Sequence, residues 1–252
     1  MYTDRSLLKR SAKTIIKTAK SSMITAAVIF LVVYLLLSTL SSAVLGVNVD
    51  YNDLQQYMHY YMNGDFESVL RISERMMPPN TAYLLNALIS VVTYLFTAGF
   101  LIFIFNTVKK LGAVYGNLLD GFGLAGKLIL LALLQGLFIF LWSLLLIIPG
   151  IIAAYRYRMA RYLLLDDPSR GASECIRMSK QMMKGHKWEL FELDLSFIGW
   201  YLLTAIPYVG YAVMIWTQPY INTTYVLYYM ALAGKGVTVG PAPSDPAGPS
   251  YY

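Results

Sequence analysis

The sequence predicts an all-α protein, a polytopic transmembrane helical bundle of six membrane helices with further amphipathic helices on the cytoplasmic side. Two observations support this fold class. Of the 252 residues, 57% are hydrophobic and only 13% are charged, whereas an ordinary soluble domain has about a quarter charged residues. The apolar residues also lie in long blocks, and a bilayer is the solvent that suits such blocks.

The blocks define the predicted membrane helices. The first, 23–45, is uncharged and long enough to cross roughly 30 Å of hydrocarbon. A secretory signal peptide also places a basic region before an apolar one, but its apolar part has only about 7–15 residues, so we favour an uncleaved anchor. The other helices are predicted at 82–105, 128–148, 151–165, 190–206 and 209–233. The helix at 151–165 spans only about 22 Å, so it is short or re-entrant.

Three domains follow from these blocks. A basic amphipathic segment covers 1–22, a single transmembrane domain covers 23–233, and a proline-rich tail covers 234–252. The tail cannot bury a core, so it is predicted to be disordered.

The distribution of Lys and Arg predicts the orientation. Six basic residues precede the first helix, whereas 46–81 holds five acidic residues and two arginines. The positive-inside rule therefore places the N-terminus in the cytoplasm and 46–81 outside. Eight basic residues between 156 and 187 also belong inside, so the third and fourth helices must form a hairpin that turns at Pro149-Gly150. A similar turn at Pro207 joins the fifth and sixth helices, so both termini are predicted to be cytoplasmic. The last four helices then form two hairpins that make a weak repeat.

Amphipathic segments are predicted at both membrane surfaces. The segment 172–184 reads as a cytoplasmic helix ended by Gly185, and we favour packing of its Met182-Met183 stripe on the bundle over lipid sensing or partner docking. The N-terminal segment, with an apolar face of Leu8, Ala12, Ile15 and Ala19, is expected to lie on anionic headgroups. For the aromatic-rich segment 46–81 we favour an interfacial belt over a ligand-binding cap.

Polar side chains within the apolar blocks are the candidate functional residues. They are Asn86, Gln135, Arg158, Arg161, Asp194, Gln218 and Asn222. These are enough to line a cavity, but also few enough to be contacts between helices. Arg161 and Asp194 lie at equal depth from the cytoplasmic helix ends, so we expect them to pair. Glu192 and Asp194 are two residues apart and cannot both face the arginines. A structural clamp is the favoured role of the pair, with a substrate or ion site as the alternative.

Signatures of catalysis are missing from the sequence. His59 and His186 are its only histidines and are predicted on opposite sides of the membrane, so they cannot share a metal or a triad. Cys175 is the only cysteine and is expected to be a packing residue. The glycine-rich 121–126 lacks the strand and the Lys-Ser/Thr ending of a phosphate loop. The net charge of +6 lies where the positive-inside rule requires it and does not indicate nucleic-acid binding. We therefore predict no enzyme activity, metal or cofactor.

Several motifs resemble a known family. They are Ile148-Pro149-Gly150-Ile151-Ile152, Asp167-Pro168, Ser179-Lys180 with 182–188, Leu193-Asp194-Leu195-Ser196-Phe197-Ile198-Gly199-Trp200, Pro219-Tyr220 and Asn222-Thr223. Together they resemble the bacterial integral-membrane family catalogued as domain of unknown function 975. The resemblance covers most of the chain up to about residue 232, apart from the external loop.

The resemblance implies an integral membrane protein without an established activity, from a family found mainly in Gram-positive bacteria. It also implies a distant similarity to the membrane domain attached to some glycerophosphodiester phosphodiesterases. Family members often carry small or hydroxyl residues after the Pro-Gly turn, where this chain has Arg156, Arg158 and Arg161. Any role of these arginines is therefore particular to this protein.

Two functional classes are compatible with the sequence. The favoured one is a non-enzymatic component of the cell membrane that helps or scaffolds envelope proteins or lipids, and the alternative is a small permease or exporter with a polar path through the bundle. The expected partners are membrane lipids, including anionic headgroups, and a membrane protein or a second copy of the chain.

Overall fold

The computed structural model describes residues 4–46, 51–206 and 209–235, and over these ranges the chain is helical with no strand. The α-helices are α1 (Arg5–Thr18), α2 (Lys20–Leu45), α3 (Tyr51–Met62), α4 (Phe66–Met76), α5 (Asn80–Val108), α6 (Asp120–Gly123), α7 (Ala125–Leu145), α8 (Ile147–Tyr157), α9 (Ala160–Asp166), α10 (Ala172–Met182), α11 (Lys187–Leu195), α12 (Ile198–Thr204) and α13 (Val209–Leu232). A 3-10 helix at Tyr115–Leu119 precedes α6. The chain forms two compact units, 1–31 with 95–252, and 32–94.

Among the described residues, three helices are long and apolar enough to cross a membrane. They are Met23–Leu45 within α2, Asn80–Val108 and Ala125–Leu145. The predicted all-α fold is thus confirmed over the described residues, and three of its helices could span a membrane, whereas six spans are not confirmed. The predicted fourth and fifth helices are each divided into two shorter helices, α8 with α9 and α11 with α12. The last helix, α13, is long but contains Gln218, Pro219 and Asn222.

Side chains from other elements satisfy the carbonyl groups that the two interruptions set free. A helix end leaves its last carbonyls without backbone partners, and this is costly in an apolar surrounding. At the end of α8, Gln135 donates from Nε2 to the Tyr157 carbonyl at 2.6 Å, and Ser179 donates from Oγ to the Arg156 carbonyl at 2.9 Å. At the end of α11, Lys9 donates from Nζ to the Ser196 carbonyl at 3.1 Å.

The hairpin between α7 and α8 is present, but its turn is not at Pro149-Gly150 as predicted. The reversal occurs at Leu146, whose backbone is extended at φ −165° and ψ 154°. Pro149 lies in the first turn of α8, where its missing amide hydrogen costs no helical hydrogen bond. Gly150 allows α8 to lie close to α7, because a Cβ atom at this position would lie 2.1 Å from Ser143 Oγ.

The second predicted hairpin has a similar close approach. Pro207 lies outside the described residues, as does the tail from 236 to 252. α12 and α13 pack against each other, and a Cβ atom on Gly210 would lie 2.1 Å from the Thr204 carbonyl oxygen. In both hairpins, therefore, a glycine near the start of the second helix packs on a hydroxyl residue near the end of the first. The repeat itself, which aligned Pro149 with Pro207, stays a prediction.

The predicted amphipathic helix corresponds to α10. It contacts α7, α8 and α9, it buries Cys175, Ile176 and Met183, and the chain reverses at Gly185 with φ +87°. Packing on the protein, the favoured interpretation, is confirmed for this face. Met182, in contrast, is only half-buried.

The N-terminal helix α1 also packs on the protein. It contacts α13 and buries Leu8, Ala12 and Ile16. The buried face therefore includes Ile16 and not the expected Ile15. The apolar face is covered by protein and is not free to lie on lipid, whereas a lipid contact through the exposed basic side chains stays a prediction.

In the unit formed by 32–94, the segment between the first two membrane helices forms a helical hairpin of α3 and α4. α4 buries Val69 and Ile72, while α3 has no buried residue. In the same unit, Ser41 on α2 donates a hydrogen bond to the side-chain oxygen of Asn86 on α5.

Candidate functional site

A polar cluster is built around Asp194, in the last turn of α11. Arg158 approaches the carboxylate with an Nη1–Oδ2 distance of 3.2 Å and an Nη2–Oδ1 distance of 3.4 Å. Tyr155 donates to Oδ2 at 3.0 Å, and Tyr225 donates to Oδ1. The guanidinium also lies 5.1 Å from the centre of the Tyr225 ring. The cluster thus joins α8, α11 and α13.

The two helix interruptions bring these groups together. Arg158 follows the last residue of α8, and Asp194 precedes the bend at Ser196-Phe197. In this structure Tyr155, Tyr225 and Arg158 Nη2 donate three hydrogen bonds to Asp194, and Arg158 Nη1 adds an ion-pair contact. Both oxygens of the Asp194 carboxylate are therefore engaged by other side chains of the protein.

The predicted pairing of Asp194 with Arg161 is wrong, because Arg158 occupies that place. Arg161 instead lies over the ring of Tyr162, with 5.8 Å between the guanidinium carbon and the ring centre. The prediction compared depths along two continuous helices, and the interruptions change the register on which that comparison depends. Glu192 faces elsewhere, as expected, and pairs with Arg5 at 3.3 Å.

The other predicted polar residues do not join this cluster. Gln135 donates a hydrogen bond to the last carbonyl of α8. Asn86 accepts a hydrogen bond from Ser41 within the unit 32–94. Asn222 donates to the Gln218 carbonyl at 2.9 Å and to its Oε1 at 3.1 Å, within one helix. The seven predicted residues are thus distributed over separate local contacts and do not converge on one cavity.

A second cluster, around Asp166, was missed by the sequence reasoning. The Asp166 side chain is 0% exposed, forms ion pairs with Lys109 and Lys235, and accepts a hydrogen bond from Tyr229 at 2.7 Å. Burial by itself raises the pKa of Asp166, but the hydrogen bonds from Lys109, Lys235 and Tyr229 outweigh it and hold the pKa below its usual value. No sequence spacing links Lys109 or Lys235 to Asp166, because the three residues are far apart along the chain.

The Asp166 cluster fixes which helix ends lie together. It joins the C-terminal ends of α5, α9 and α13, above a group of rings from Phe105, Tyr162 and Tyr229. Lys127, at the start of α7, donates to the Pro168 carbonyl at 2.6 Å. The chain therefore enters the α7–α9 segment and leaves it at the same end of this unit.

His186 and Cys175, two further residues with reactive side chains, are engaged in contacts within the protein. His186 Nδ1 lies 3.0 Å from Glu189 Oε2. Cys175 is fully buried, and burial raises the pKa of its thiol, which disfavours the nucleophilic thiolate. Over the ranges that the structure describes, no group of three or more His, Cys, Asp or Glu residues could hold a metal ion.

Comparison with known proteins supports the family resemblance. The chain matches the family described as "Protein of unknown function (DUF975)" over residues 144–235, the region that contains the turn of the first hairpin, the second hairpin and the Asp194 cluster. No curated protein and no solved structure matches the chain. The more distant similarity to the glycerophosphodiester phosphodiesterase membrane domain stays a prediction.

Proposed function

We propose that this protein, which matches the DUF975 family of unknown function over residues 144–235, is a non-enzymatic, multi-pass component of the cell membrane that helps or scaffolds envelope proteins or lipids. One observation carries this proposal: the polar side chains of the bundle form hydrogen bonds and ion pairs with other groups of the protein. Both carboxylate oxygens of Asp194 are engaged by Arg158, Tyr155 and Tyr225, and Gln135 donates its hydrogen bond to a backbone carbonyl. A path for a polar solute needs side chains that remain available to it.

We propose a topology of six membrane-embedded helices with both termini in the cytoplasm. The excess of Lys and Arg before α2 and between 156 and 187 supports this orientation. The Asp166 cluster supports the even number of crossings in α7–α9. For the second hairpin, Tyr228 near the end of α13 donates to the His186 carbonyl beside the start of α11 at 3.1 Å. In this topology the two ends of each hairpin lie on the same side of the membrane.

Labelling with a membrane-impermeant thiol reagent tests the topology. Cys175 is replaced by Ala, and single cysteines are introduced at Asp53 and at Ser169. In sealed cells, Asp53→Cys should be labelled and Ser169→Cys should be labelled only after the cells are opened. Labelling of Ser169→Cys in sealed cells would contradict the topology.

The permease remains a second candidate because of one observation. Two interrupted helices meet at a charged pair, and interrupted helices are where many carriers bind their ions or substrates. In such a carrier the bonds to Asp194 would have to exchange during transport. Asp194→Asn would then abolish transport while the protein stayed folded.

Co-purification and flux measurements distinguish the two candidates. The intact protein is purified in native lipid and whatever lipid, peptide or protein remains bound is identified, and the purified protein is also reconstituted into vesicles that enclose a pH-sensitive dye. The helper role predicts a stoichiometric companion and no proton or ion flux above that of empty vesicles. A flux that Asp194→Asn abolishes would contradict the helper role and support the permease.

A further inference from the structure

The helix α3 has an apolar face that no other part of the described chain buries. Its exposed apolar residues are Tyr51, Leu54, Met58, Tyr61 and Met62, which are between 46% and 78% exposed. At about 100° per residue, these positions fall within an arc of roughly 100° on one side of the helix. We call this set the α3 stripe. It contains no charged side chain.

The other faces of α3 differ in character. Asp53, Tyr57 and Tyr60 are half-buried and lie together on a second face, consistent with the packing of α3 on α4. The third face carries Asn52, Gln55, Gln56, His59 and Asn63, with no carboxylate and no Lys or Arg. Because Gln56 projects nearly opposite to Met58, α3 is amphipathic in addition to its contact with α4.

The position of the hairpin along the chain indicates what covers the stripe. Only Met77, Pro78 and Pro79 separate α4 from the membrane-spanning helix α5, so the hairpin cannot move more than about 10–14 Å from the end of that span. The first turns of α5 also expose apolar residues, namely Tyr83, Leu84, Leu85 and Leu88, as do α4 at Phe66 and Leu70 and the connection at Met77. The stripe therefore lies within a short reach of a helix that is long and apolar enough to cross the membrane.

The charge of the hairpin indicates how it meets the membrane. Residues 51–77 carry four acidic side chains and two arginines, so anionic headgroups would repel this segment. Attachment must then come from burial of the apolar stripe and from the tether to the spans. Aromatic and long apolar side chains with an uncharged polar face suit the boundary between headgroups and acyl chains.

We propose that α3 lies in the plane of the membrane interface at its end of the spans, with the α3 stripe inserted among the lipids and the face of Gln56 in water. This inference depends only on the chain spanning a membrane and not on the helper role. It assigns a lipid-binding surface to a segment outside the region that matches the family.

Single spin labels, placed at matched positions in separate variants of the full chain, test the proposal. In the Cys175→Ala background, a nitroxide is attached at Met58→Cys and, as the matched control on the opposite face, at Gln56→Cys. The protein is reconstituted into phosphatidylcholine vesicles, and collision with oxygen, which concentrates in lipid, is compared with collision with a water-soluble nickel chelate. Tyr61→Cys repeats the measurement at a second position of the stripe.

The proposal predicts a higher ratio of oxygen to nickel collisions at positions 58 and 61 than at position 56. Equal ratios with high nickel collision at all positions would mean that the stripe faces water, and would overturn it. Protection of positions 58 and 61 from both reagents would mean that protein, from a second copy or another partner, covers the stripe, and this would also overturn it.

Discussion

Arg158 and Asp194 form an ion pair at the point where two helices are interrupted, with 3.2 Å between Nη1 and Oδ2. An arginine that is partly withdrawn from water is costly to the folded state unless its charge is paired. The pair offsets this cost for Arg158, and the phenols of Tyr155 and Tyr225 complete the shell of the carboxylate. The same four side chains hold α8, α11 and α13 together, which explains how short helices remain in place without a long apolar surface.

Gly150→Ala should destabilise the α7–α8 hairpin by about 1–3 kcal/mol, because the new methyl group overpacks the contact. Its Cβ atom would lie 2.1 Å from Ser143 Oγ and 3.0 Å from Ser143 Cβ. The second change Ser143→Gly should recover much of this loss because it removes both atoms. Thermal unfolding of the detergent-solubilised protein measures the effect.

Gly136→Ala in α7 is the matched control for this prediction. A Cβ atom at Gly136 meets nothing within 4 Å, so alanine should be neutral or stabilise the helix by up to about 1 kcal/mol. Equal losses for Gly136→Ala and Gly150→Ala would show that the contact with Ser143 does not determine the result.

Asp166→Asn should lower the melting temperature at neutral pH, and the difference from the unchanged protein should shrink in acid. The pKa of Asp166 is below its ordinary value of 3.8, because hydrogen bonds from Lys109, Lys235 and Tyr229 outweigh burial, which alone would raise it. A lowered carboxyl pKa stabilises the folded state above the ordinary pKa, and this contribution is lost as pH falls through the folded pKa. Melting curves from about pH 7 to about pH 3 measure the difference.

Glu174→Gln, which changes an exposed carboxylate in the first turn of α10, is the control for Asp166→Asn. It should shift the melting temperature little at any pH. A difference between Asp166→Asn and the unchanged protein that persists undiminished at low pH would contradict an ionised Asp166 as the source of the stability.

Met183→Ala should cost about 2–5 kcal/mol, in the range for large-to-small changes in a core, because Met183 is 0% exposed. Met182→Ala should cost clearly less, since Met182 is only half-buried. Limited proteolysis around 171–185 and thermal unfolding provide the two measurements. Equal effects of the two substitutions would contradict the packing of α10 described above.

Apolar length and charge predicted much of the fold. The block 23–45 coincides with the span Met23–Leu45, and 82–105 lies within Asn80–Val108. The amphipathic period predicted α10 and most of its buried face. These features are local, because hydrophobic blocks and helical periodicity depend only on neighbouring residues.

The interruptions of the helices could not be predicted in this way. Neither Arg158-Met159 nor Ser196-Phe197 contains the proline or glycine that usually marks a helix break. The breaks persist because distant donors, Gln135 and Lys9, satisfy the freed carbonyls. The choice of Arg158 over Arg161 as the partner of Asp194 depends on these breaks, and the Asp166 cluster joins residues that are far apart in sequence.

A double-mutant cycle between Arg158→Gln and Asp194→Asn tests most directly the claim that polar residues join the helices of this bundle. Thermal or denaturant unfolding of both single variants and the double variant gives the coupling free energy, and the same cycle is measured for Arg161→Gln with Asp194→Asn. We predict a coupling of about 1–3 kcal/mol for positions 158 and 194, and additivity within about 0.5 kcal/mol for positions 161 and 194. Additive effects at 158 and 194, or strong coupling at 161 and 194, would contradict the account.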